Sequence, residues 1–333
     1  MNQKKLNAGA FVLSRRDFLH ISAATLLTTV FGGLVGCGPT KPLKIAAQVW
    51  PGYSFLFLAR DQGFISEKAI ELIVTENLGV SSSALAKGEV DGAALTLDEV
   101  VHLLDQGVSL QVVLILDSSA GADAVMVKPE IKKLASLKGK SIGVESSTLG
   151  AIMLSKLLDA SHLKTDDINI VTIGFDHLKS WGDQKLDAII TYDPIANLLE
   201  QKGLVRIWDS RDIPGLIVDV LAFRSEAVEK HSSALVEIVA GHFKAQILWQ
   251  KNLIDTAYLL AKTLQTTSDQ IKNIFMGLDL PDARFNRHIL TPPTSELQKT
   301  VAEIAQIMVN AKLIRQIPSI DNLFTADFLP GDL

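Results

Sequence analysis

The chain has 333 residues, is 47% hydrophobic and 21% charged, and carries a formal net charge of −5 at pH 7. That length exceeds what one compact core usually holds, and the ordinary composition predicts a globular protein with two cores. The acidic balance excludes a general electrostatic attraction to nucleic acid or to an anionic membrane surface. No nucleic-acid partner is therefore expected.

Residues 1–36 are typical of an export signal rather than of a folded element. Two lysines and the pair Arg15 and Arg16 lie in the first 20 residues, and "SRRDFL" is typical of a twin-arginine signal. The uncharged stretch 21–36 is shorter than the roughly 20 apolar residues of a membrane-spanning helix. Its length suits the core of a signal peptide, so we expect it to be removed from the mature protein.

Cys37 is the single cysteine of the chain and follows the signal core directly in "LVGC". This pattern resembles the lipobox of bacterial lipoproteins, in which the thiol takes a diacylglycerol and becomes the mature N-terminus. A single cysteine also excludes a disulfide framework. Acyl chains contribute roughly 0.8 kcal/mol per buried CH2, so two or three of them hold a protein on a membrane. We predict an extracytoplasmic, membrane-anchored lipoprotein in which 37–42 form the lipidated cysteine and a linker.

Beyond residue 42, short β-branched runs alternate with longer helical ones, which predicts βα units on mainly parallel sheets. Strands are predicted at "LKIAAQVW", "IELIVTEN", "VDGAALT", "LQVVLILD", "ADAVMVKP", "SIGVES", "INIVTIG", "LDAIITY", "VRIWDS" and "LIVDVLAFR", and helices at "SFLFLARDQGF", "SSSALAKGE", "LDEVVHLLDQG", "TLGAIMLSKLLDAS" and "DPIANLLEQKG". The rest is predicted to be helical, near 226–250, 252–265, 268–277 and 295–313. Ser295 and Gln298 have capping-box spacing at the start of the last helix.

Two stretches, "DGAALTLDEVVHLLDQG" and "DAIITYDPIANLLEQKG", follow one plan. Each begins with Asp and an apolar strand that ends in Thr. An Asp follows two residues after the Thr, and then comes an apolar helix that ends near Gly. One copy in each half indicates two similar α/β lobes. An alternative stays open, because any strand-to-helix junction favours Thr or Asp as a helix cap, and Thr96 to Glu99 has the spacing of a capping box.

In open α/β sheets, ligands bind beyond the carboxyl ends of the strands. The residues predicted at those ends are Trp50, Gly52, Tyr53, Ser54, Thr96, Asp98, Ser118, Ser119, Ser146, Ser147, Thr148, Thr191, Tyr192, Asp193 and Asp219. They include no Lys or Arg, but helix N-termini hold anions without basic side chains. The carboxylates Asp98, Glu145, Asp193 and Asp219 favour an amine or a ring N–H instead, unless all are helix caps. The charge of the ligand therefore stays open.

Signatures of catalysis and of metal binding are weak in this chain. Its seven histidines are scattered, with no pair at metal-ligand spacing and no cysteine cluster, which argues against a zinc site. "GVESSTLG" lacks the Gly-Lys-Ser/Thr ending of a phosphate loop, and no Gly-x-Ser-x-Gly elbow occurs. We predict no metal, no cofactor and no catalytic residue, and we expect His102 and His242 to be packing or surface residues.

The segments "WPGYSFLFLARDQGF", "GEVDGAALTLDEV", "SLKGKSIGVESSTLGAIML" and "LDAIITYDPIANLL" together resemble the substrate-binding proteins of ABC importers for nitrate, sulfonates, taurine and thiamine precursors. The resemblance implies the type II periplasmic-binding-protein fold, an α/β fold of two doubly wound sheets joined by two crossover strands, near "ADAVMV" and "IVDVLAF". It also implies the following domains: lobe 1 from 43–124, lobe 2 from 125–218, a return crossover with lobe 1 helices from 219–325, and a tail from 326–333.

The resemblance further implies a monomer that captures a small organic or anionic solute between the lobes and delivers it to an ABC permease and its ATPase. The family's site positions correspond here to Trp50, Gly52, Tyr53, Thr96, Ser118, Ser119, Ser146, Ser147, Thr148, Tyr192 and Asp193. Arg224 is expected at the surface rather than in the cleft. Two alternatives stay open: a sensory receptor that docks on a membrane signalling protein, and an enzyme related to thiamine-pyrimidine synthases. The synthases use a Cys-rich motif, from which this chain departs.

Overall fold

The computed structural model describes residues 41–293 and 295–331. The predicted signal, Cys37 and the Ser295 side chain of the expected capping box lie outside what is described. The strands are β1 (Leu43–Gln48), β2 (Ile70–Thr75), β3 (Gly92–Thr96), β4 (Leu110–Ser119), β5 (Asp123–Val127), β6 (Ser141–Glu145), β7 (Asn169–Ile173), β8 (Ala188–Tyr192), β9 (Val205–Asp209), β10 (Val218–Arg224) and β11 (Leu278–Asp279). The helices are α1 (Ser54–Asp61), α2 (Leu78–Lys87), α3 (Leu97–Asp105), α4 (Thr148–Ser161), α5 (His177–Asp183), α6 (Ile195–Gln201), α7 (Ser225–Lys230), α8 (Ser232–Lys251), α9 (Leu253–Thr263), α10 (Ser268–Phe275), α11 (Ala283–Leu290) and α12 (Ser295–Asn310).

The strands form two sheets, in the orders β11-β4-β10-β3-β1-β2 and β7-β6-β8-β5-β9. Strands β1, β2 and β3 are parallel, as are β6, β7 and β8. The α/β prediction with two sheets is confirmed. Both sheets are mixed, however, because β10 runs antiparallel to β3 and β4, and β5 runs antiparallel to β8 and β9.

The chain crosses between the sheets at the two predicted runs. It passes from the first sheet to the second between β4 and β5 and returns between β9 and β10. Strand β5 is buried along its whole length, and β10 is buried up to its last residue. Strands covered on both faces read as largely apolar runs, which is why both segments were predicted as strands, and the family resemblance identified them as the crossovers. We call the part built on the first sheet lobe 1 and the part built on the second sheet lobe 2.

Apolar packing follows this division of the chain. A large cluster of buried residues packs around the first sheet and draws on α1, α8 and α12 as well as on the strands. Two smaller clusters cover the second sheet. The predicted apolar stripe of α12 is confirmed, since Leu297, Val301, Ile304 and Met308 are all buried.

Three helical details differ from the sequence prediction. The helix expected over 226–250 is two helices, because His231 between α7 and α8 has a non-helical backbone. Helices α5 and α11 were not predicted. Each follows an aspartate whose side chain accepts a hydrogen bond from the first turn, Asp176 from Lys179 N and Asp282 from Phe285 N. These caps are the sequence signal that was available for both helices.

Candidate functional site

A cavity of about 90 Å³ lies between the two lobes, at the carboxyl ends of the central strands. Lobe 1 and the return to β10 line it with Gln48, Trp50, Tyr53, Asn77, Leu78, Gly79, Thr96, Glu99, Ile217 and Asp219, and lobe 2 lines it with Asp123, Glu145, Ser146, Ser147, Leu149, Phe175 and Tyr192. Side chains from both lobes are needed to enclose the space. A solute held here therefore contacts both halves of the protein.

The turn after β1 supplies one wall of the cavity. Ser54 N donates to the carbonyls of Trp50 and Pro51, at 3.0 and 3.1 Å, so the chain reverses immediately and enters α1. This reversal brings Trp50 and Tyr53 together at the cavity. Gly52 lies behind the wall rather than in it, because a Cβ there would stand 1.6 Å from Asp117 Oδ2. Only glycine permits this close approach of the turn to β4.

Two carboxyl groups lie against that wall, and of the two only Asp219 lines the cavity, because Asp117 is buried behind it. Tyr53 Oη donates to Asp219 Oδ1, and Trp50 Nε1 donates to Asp117 Oδ2 at 3.3 Å. Asp219 on β10 stands opposite Asp117 on β4 in the antiparallel register. Burial raises the pKa of Asp117 to about 7, and burial together with the Asp117 charge raises the pKa of Asp219 well above its usual range. Two desolvated carboxyl groups this close do not both ionise near pH 7, so the pair holds a proton.

A second acidic pair joins the lobes at the start of α3. Thr148 Oγ1, on the first residue of α4 in lobe 2, donates to Asp98 Oδ2 and also reaches Glu99 Oε1, at 3.1 Å. Burial and the neighbouring Glu99 charge raise the pKa of Asp98 to about 6. Thr148 does not line the cavity but lies in an adjoining groove of about 850 Å³. These hydrogen bonds connect lobe 1 directly to lobe 2.

A histidine that the sequence did not single out fixes the carboxylate at the end of β6. The buried His177 Nε2–H donates to Glu145 Oε2 at 2.9 Å, and Nδ1 lies 2.9 Å from Thr191 Oγ1. The imidazole also packs on Tyr192, with ring centroids 5.0 Å apart. His177 thereby holds Glu145 in place at the cavity. Its only sequence signal was its position directly after the helix cap Asp176.

Aromatic rings from the two lobes meet at one edge of the cavity. Trp50 of lobe 1 and Tyr192 of lobe 2 make an edge-to-face contact, with centroids 6.0 Å apart and planes at 79°. Asp123 on β5 stands opposite Tyr192 on β8, and burial raises the pKa of Asp123 to about 7. The rings form an apolar corner against which a flat ligand surface can pack.

Seven of the predicted site residues line the cavity, namely Trp50, Tyr53, Thr96, Ser146, Ser147, Tyr192 and Asp219. Other predicted residues make hydrogen bonds or ion pairs within the protein instead. Ser118 Oγ donates to Ile217 O at 3.0 Å, and Ser119 Oγ lies 2.7 Å from Ser210 Oγ. Asp193 pairs with Arg206 at 3.3 Å and accepts from Asn197 N. For all of the predicted site residues, those that line the cavity as well as Gly52, Ser118, Ser119, Thr148 and Asp193, a direct contact with ligand stays a prediction.

Arg206 on β9 and Arg224 on β10 make their contacts outside the cavity lining. Arg206 donates to Gly121 O and pairs with Asp193 and Glu200. Arg224 donates to Leu85 O at 2.9 Å and pairs with Glu226, away from the cavity, as expected. Within residues 41–293 and 295–331, no group of three or more His, Cys, Asp or Glu side chains is placed to hold a metal ion. No helix in that part of the chain is long and apolar enough to cross a membrane.

The part of the chain that builds most of the cavity also matches a known protein family. The NMT1/THI5-like family profile matches residues 50–241, which include both crossovers and most of the cavity wall. The chain belongs to the NMT1/THI5-like family. The predicted resemblance to the substrate-binding proteins of ABC importers is thereby confirmed at the level of the family.

Two binding proteins and one enzyme are similar to this chain. The taurine-binding periplasmic protein of Escherichia coli is 25% identical over 251 residues, which cover 72% of this chain and 76% of the relative. The crystal structure of the periplasmic aliphatic sulphonate binding protein SsuA from Escherichia coli superposes with a TM-score of 0.70 at 18% identity, over 85% of this chain and 97% of that one. The desulfurization enzyme DSZB superposes with a TM-score of 0.63 at 16% identity, over 86% and 97%. The two structures establish the fold.

Proposed function

We propose that this protein is an extracytoplasmic solute-binding protein that captures a small organic solute between its lobes and presents the closed form to an ABC permease and its ATPase. The cavity enclosed by side chains from both lobes supports this proposal. A ligand that contacts both walls binds the closed state better than the open one and so raises the population of the closed state. A partner that recognises the closed state can thereby distinguish the liganded protein from the free one. The periplasmic relative that binds taurine agrees with this role.

The experiment is a binding screen on residues 41–333 expressed without the signal. This segment contains both sheets and forms one compact unit from Pro42 onward. Sulfonates, nitrate, aminopyrimidines, flavins and organic amines are tested for a rise in the unfolding midpoint that grows with ligand concentration. A Trp50→Ala variant, which removes one cavity wall, should lose the shift. If no compound shifts the wild type, the solute-binding proposal fails.

We further propose that Cys37 carries the lipid that anchors the protein to the outer face of a membrane. Its position after an uncharged signal core and its status as the single cysteine support this. The full-length protein is expected in the membrane fraction of the producing cells, and a Cys37→Ser variant in the soluble fraction. Equal distribution of the two would overturn the assignment.

An enzyme is the second candidate, because the desulfurization enzyme DSZB shares the fold. The same screen separates the two functions. A binding protein returns its solute chemically unchanged, whereas an enzyme converts it. Mass spectrometry of each ligand that shifts the unfolding midpoint, after prolonged incubation with the protein, therefore decides between them.

A further inference from the structure

The cavity is acidic on both of its sides. Lobe 1 contributes Glu99 and Asp219, and lobe 2 contributes Asp123 and Glu145. None of the described residues that line the cavity is Lys or Arg. Asp219 shares a proton with Asp117, so the like charge that an anionic ligand would meet comes from Glu99 of lobe 1 and from Asp123 and Glu145 of lobe 2, with no basic side chain in the lining opposite them.

Helix N-termini do not reverse this balance. The first turn of α2 is capped by Asn77, which accepts from Val80 N at 3.0 Å, and that of α4 is capped by Ser147, which accepts from Gly150 N at 3.0 Å. The first turn of α3 already carries Asp98 and Glu99. A helix end is equivalent to about half a positive charge, and an ionised carboxylate is a full negative one. The carboxylates therefore outweigh the helix ends.

A polar side chain at the cavity also lacks a partner. Thr96 is 3% exposed and lines the cavity, and its Oγ1 has no partner at hydrogen-bonding geometry among the described residues, although it lies near enough to Asp98 to offset part of the rise that burial causes in the pKa of that carboxyl. Buried polar groups are seldom left unpaired, because desolvation without a hydrogen bond costs free energy. This hydroxyl, on the strand beside Asp219, is a second and independent sign that a polar ligand completes the site.

We propose that the cavity takes a compact organic cation bearing N–H donors, such as a protonated amine, amidine or amino-heterocycle, and not a sulfonate or another simple anion. The carboxylates accept charge-assisted hydrogen bonds from its N–H groups, and the Thr96 hydroxyl accepts one more. Trp50 and Tyr192 cover its apolar part, with the attraction of a cation for aromatic rings adding to the contact. This inference rests on the proposed solute-binding function and narrows its ligand.

The test uses three probes of one shape and different charge: benzamidine, benzamide and benzenesulfonate. Each is titrated at pH 8 into residues 41–333, and binding is measured by calorimetry and by the unfolding midpoint. Benzamidine is expected to bind at least tenfold more tightly than the neutral amide, and the sulfonate more weakly still. Preference for benzenesulfonate, or equal affinity for benzamidine and benzamide, would overturn the inference and leave the solute-binding function standing.

A pair of variants supplies a readout that a merely structural carboxylate would not give. Asp123→Asn removes a buried charge at the cavity, so it is expected to weaken benzamidine at least tenfold while raising the unfolding midpoint of the ligand-free protein at pH 8. The control Asp187→Asn alters a carboxylate that accepts from Ser141 N and pairs with Lys128, both at 3.1 Å, outside the cavity lining. It is expected to lower the midpoint and leave affinity unchanged.

Two outcomes would overturn the cation inference. Loss of stability in Asp123→Asn like that in the control, with no loss of affinity, would overturn the inference. If no probe shifts the wild type, the cation inference is overturned as well. The solute-binding function is then judged by the broader screen alone, so the two failures are distinguishable.

Discussion

Acidification from pH 8 to pH 5 is expected to stabilise the ligand-free protein, against the usual behaviour of surface carboxylates. Burial raises the pKa of Asp98 to about 6 and those of Asp117 and Asp123 to about 7, and it raises that of Asp219 further. In an unfolded chain such groups titrate near 3.9. A raised folded pKa contributes stability that is fully present below about pH 4 and is lost as pH rises through 6 to 7.

The magnitude follows from the pKa difference. One unit corresponds to 1.36 kcal/mol, so Asp123, raised from 3.8 to about 7, gains about 3 kcal/mol of stability between pH 8 and pH 5. His242 opposes this change. Burial lowers the pKa of His242 to about 3, so this histidine takes up a proton in the unfolded chain but not in the folded protein as pH falls from 6.5 to 5. The folded protein loses about 2 kcal/mol of stability over that range for this reason. Several carboxyl groups act against one imidazole, and the net change is stabilising.

Urea unfolding of residues 41–333, measured at half-unit steps from pH 8 to pH 5, checks this. The free energy of unfolding should rise as pH falls, and Asp123→Asn should flatten part of the rise. Asp187→Asn is the matched control, since the Ser141 N–H and Lys128 lower the pKa of Asp187 and its contribution is lost only as pH falls through that lowered value. A wild-type stability that is flat or falls as pH is lowered over this range would refute the assignment of raised pKa values to these buried carboxyl groups.

Four further predictions concern single sites or one ligand. Gly52→Ala should lower the unfolding midpoint and weaken solute binding at least tenfold, because its Cβ displaces Asp117; Gly174→Ala, with open space around it, is the control. His242→Leu should stabilise the protein by roughly 1–3 kcal/mol in urea unfolding at pH 7, since both ring nitrogens are buried without partners in the described chain. Thr148→Val should favour the open form, visible as a larger radius of gyration in small-angle scattering, because it removes the bonds to Asp98 and Glu99. Benzamidine affinity should rise from pH 5 to pH 8 in calorimetry, because the cation binds the carboxylates in their ionised form.

Much of the fold could be predicted from the sequence, because burial on both faces leaves its mark as apolar runs. The strands and the βα alternation follow from that pattern, whereas the two crossovers were expected from the family resemblance. The site was only partly predictable. Asp117 lies inside an apolar strand, and nothing around it in the sequence indicates that it stands beside another carboxyl group. That neighbour is Asp219, which lies opposite it in the antiparallel register and comes 102 residues later in the chain. Glu99 and His177 likewise reach the site through tertiary packing that sequence spacing does not encode. The hydroxyls and aromatics at strand ends were found because a topological rule places them.

The distribution of charge also bears on how ligand binding is coupled to closure. On the proposed solute-binding function, closing the lobes brings Asp123 and Glu145 of lobe 2 toward Glu99 of lobe 1 around one small cavity. Without a ligand, like charges across the cleft oppose closure or must take up protons, and both cost free energy. A cation between them removes that cost in the closed state alone. Moving a population from 1:99 to 99:1 requires about 5.5 kcal/mol of such differential binding. The attraction between the cation and the carboxylates can supply part of it, because that attraction is several-fold weaker when the cleft opens to water. On this argument the carboxylates are what makes closure depend on the ligand, and an anion in the same cavity would keep the lobes apart.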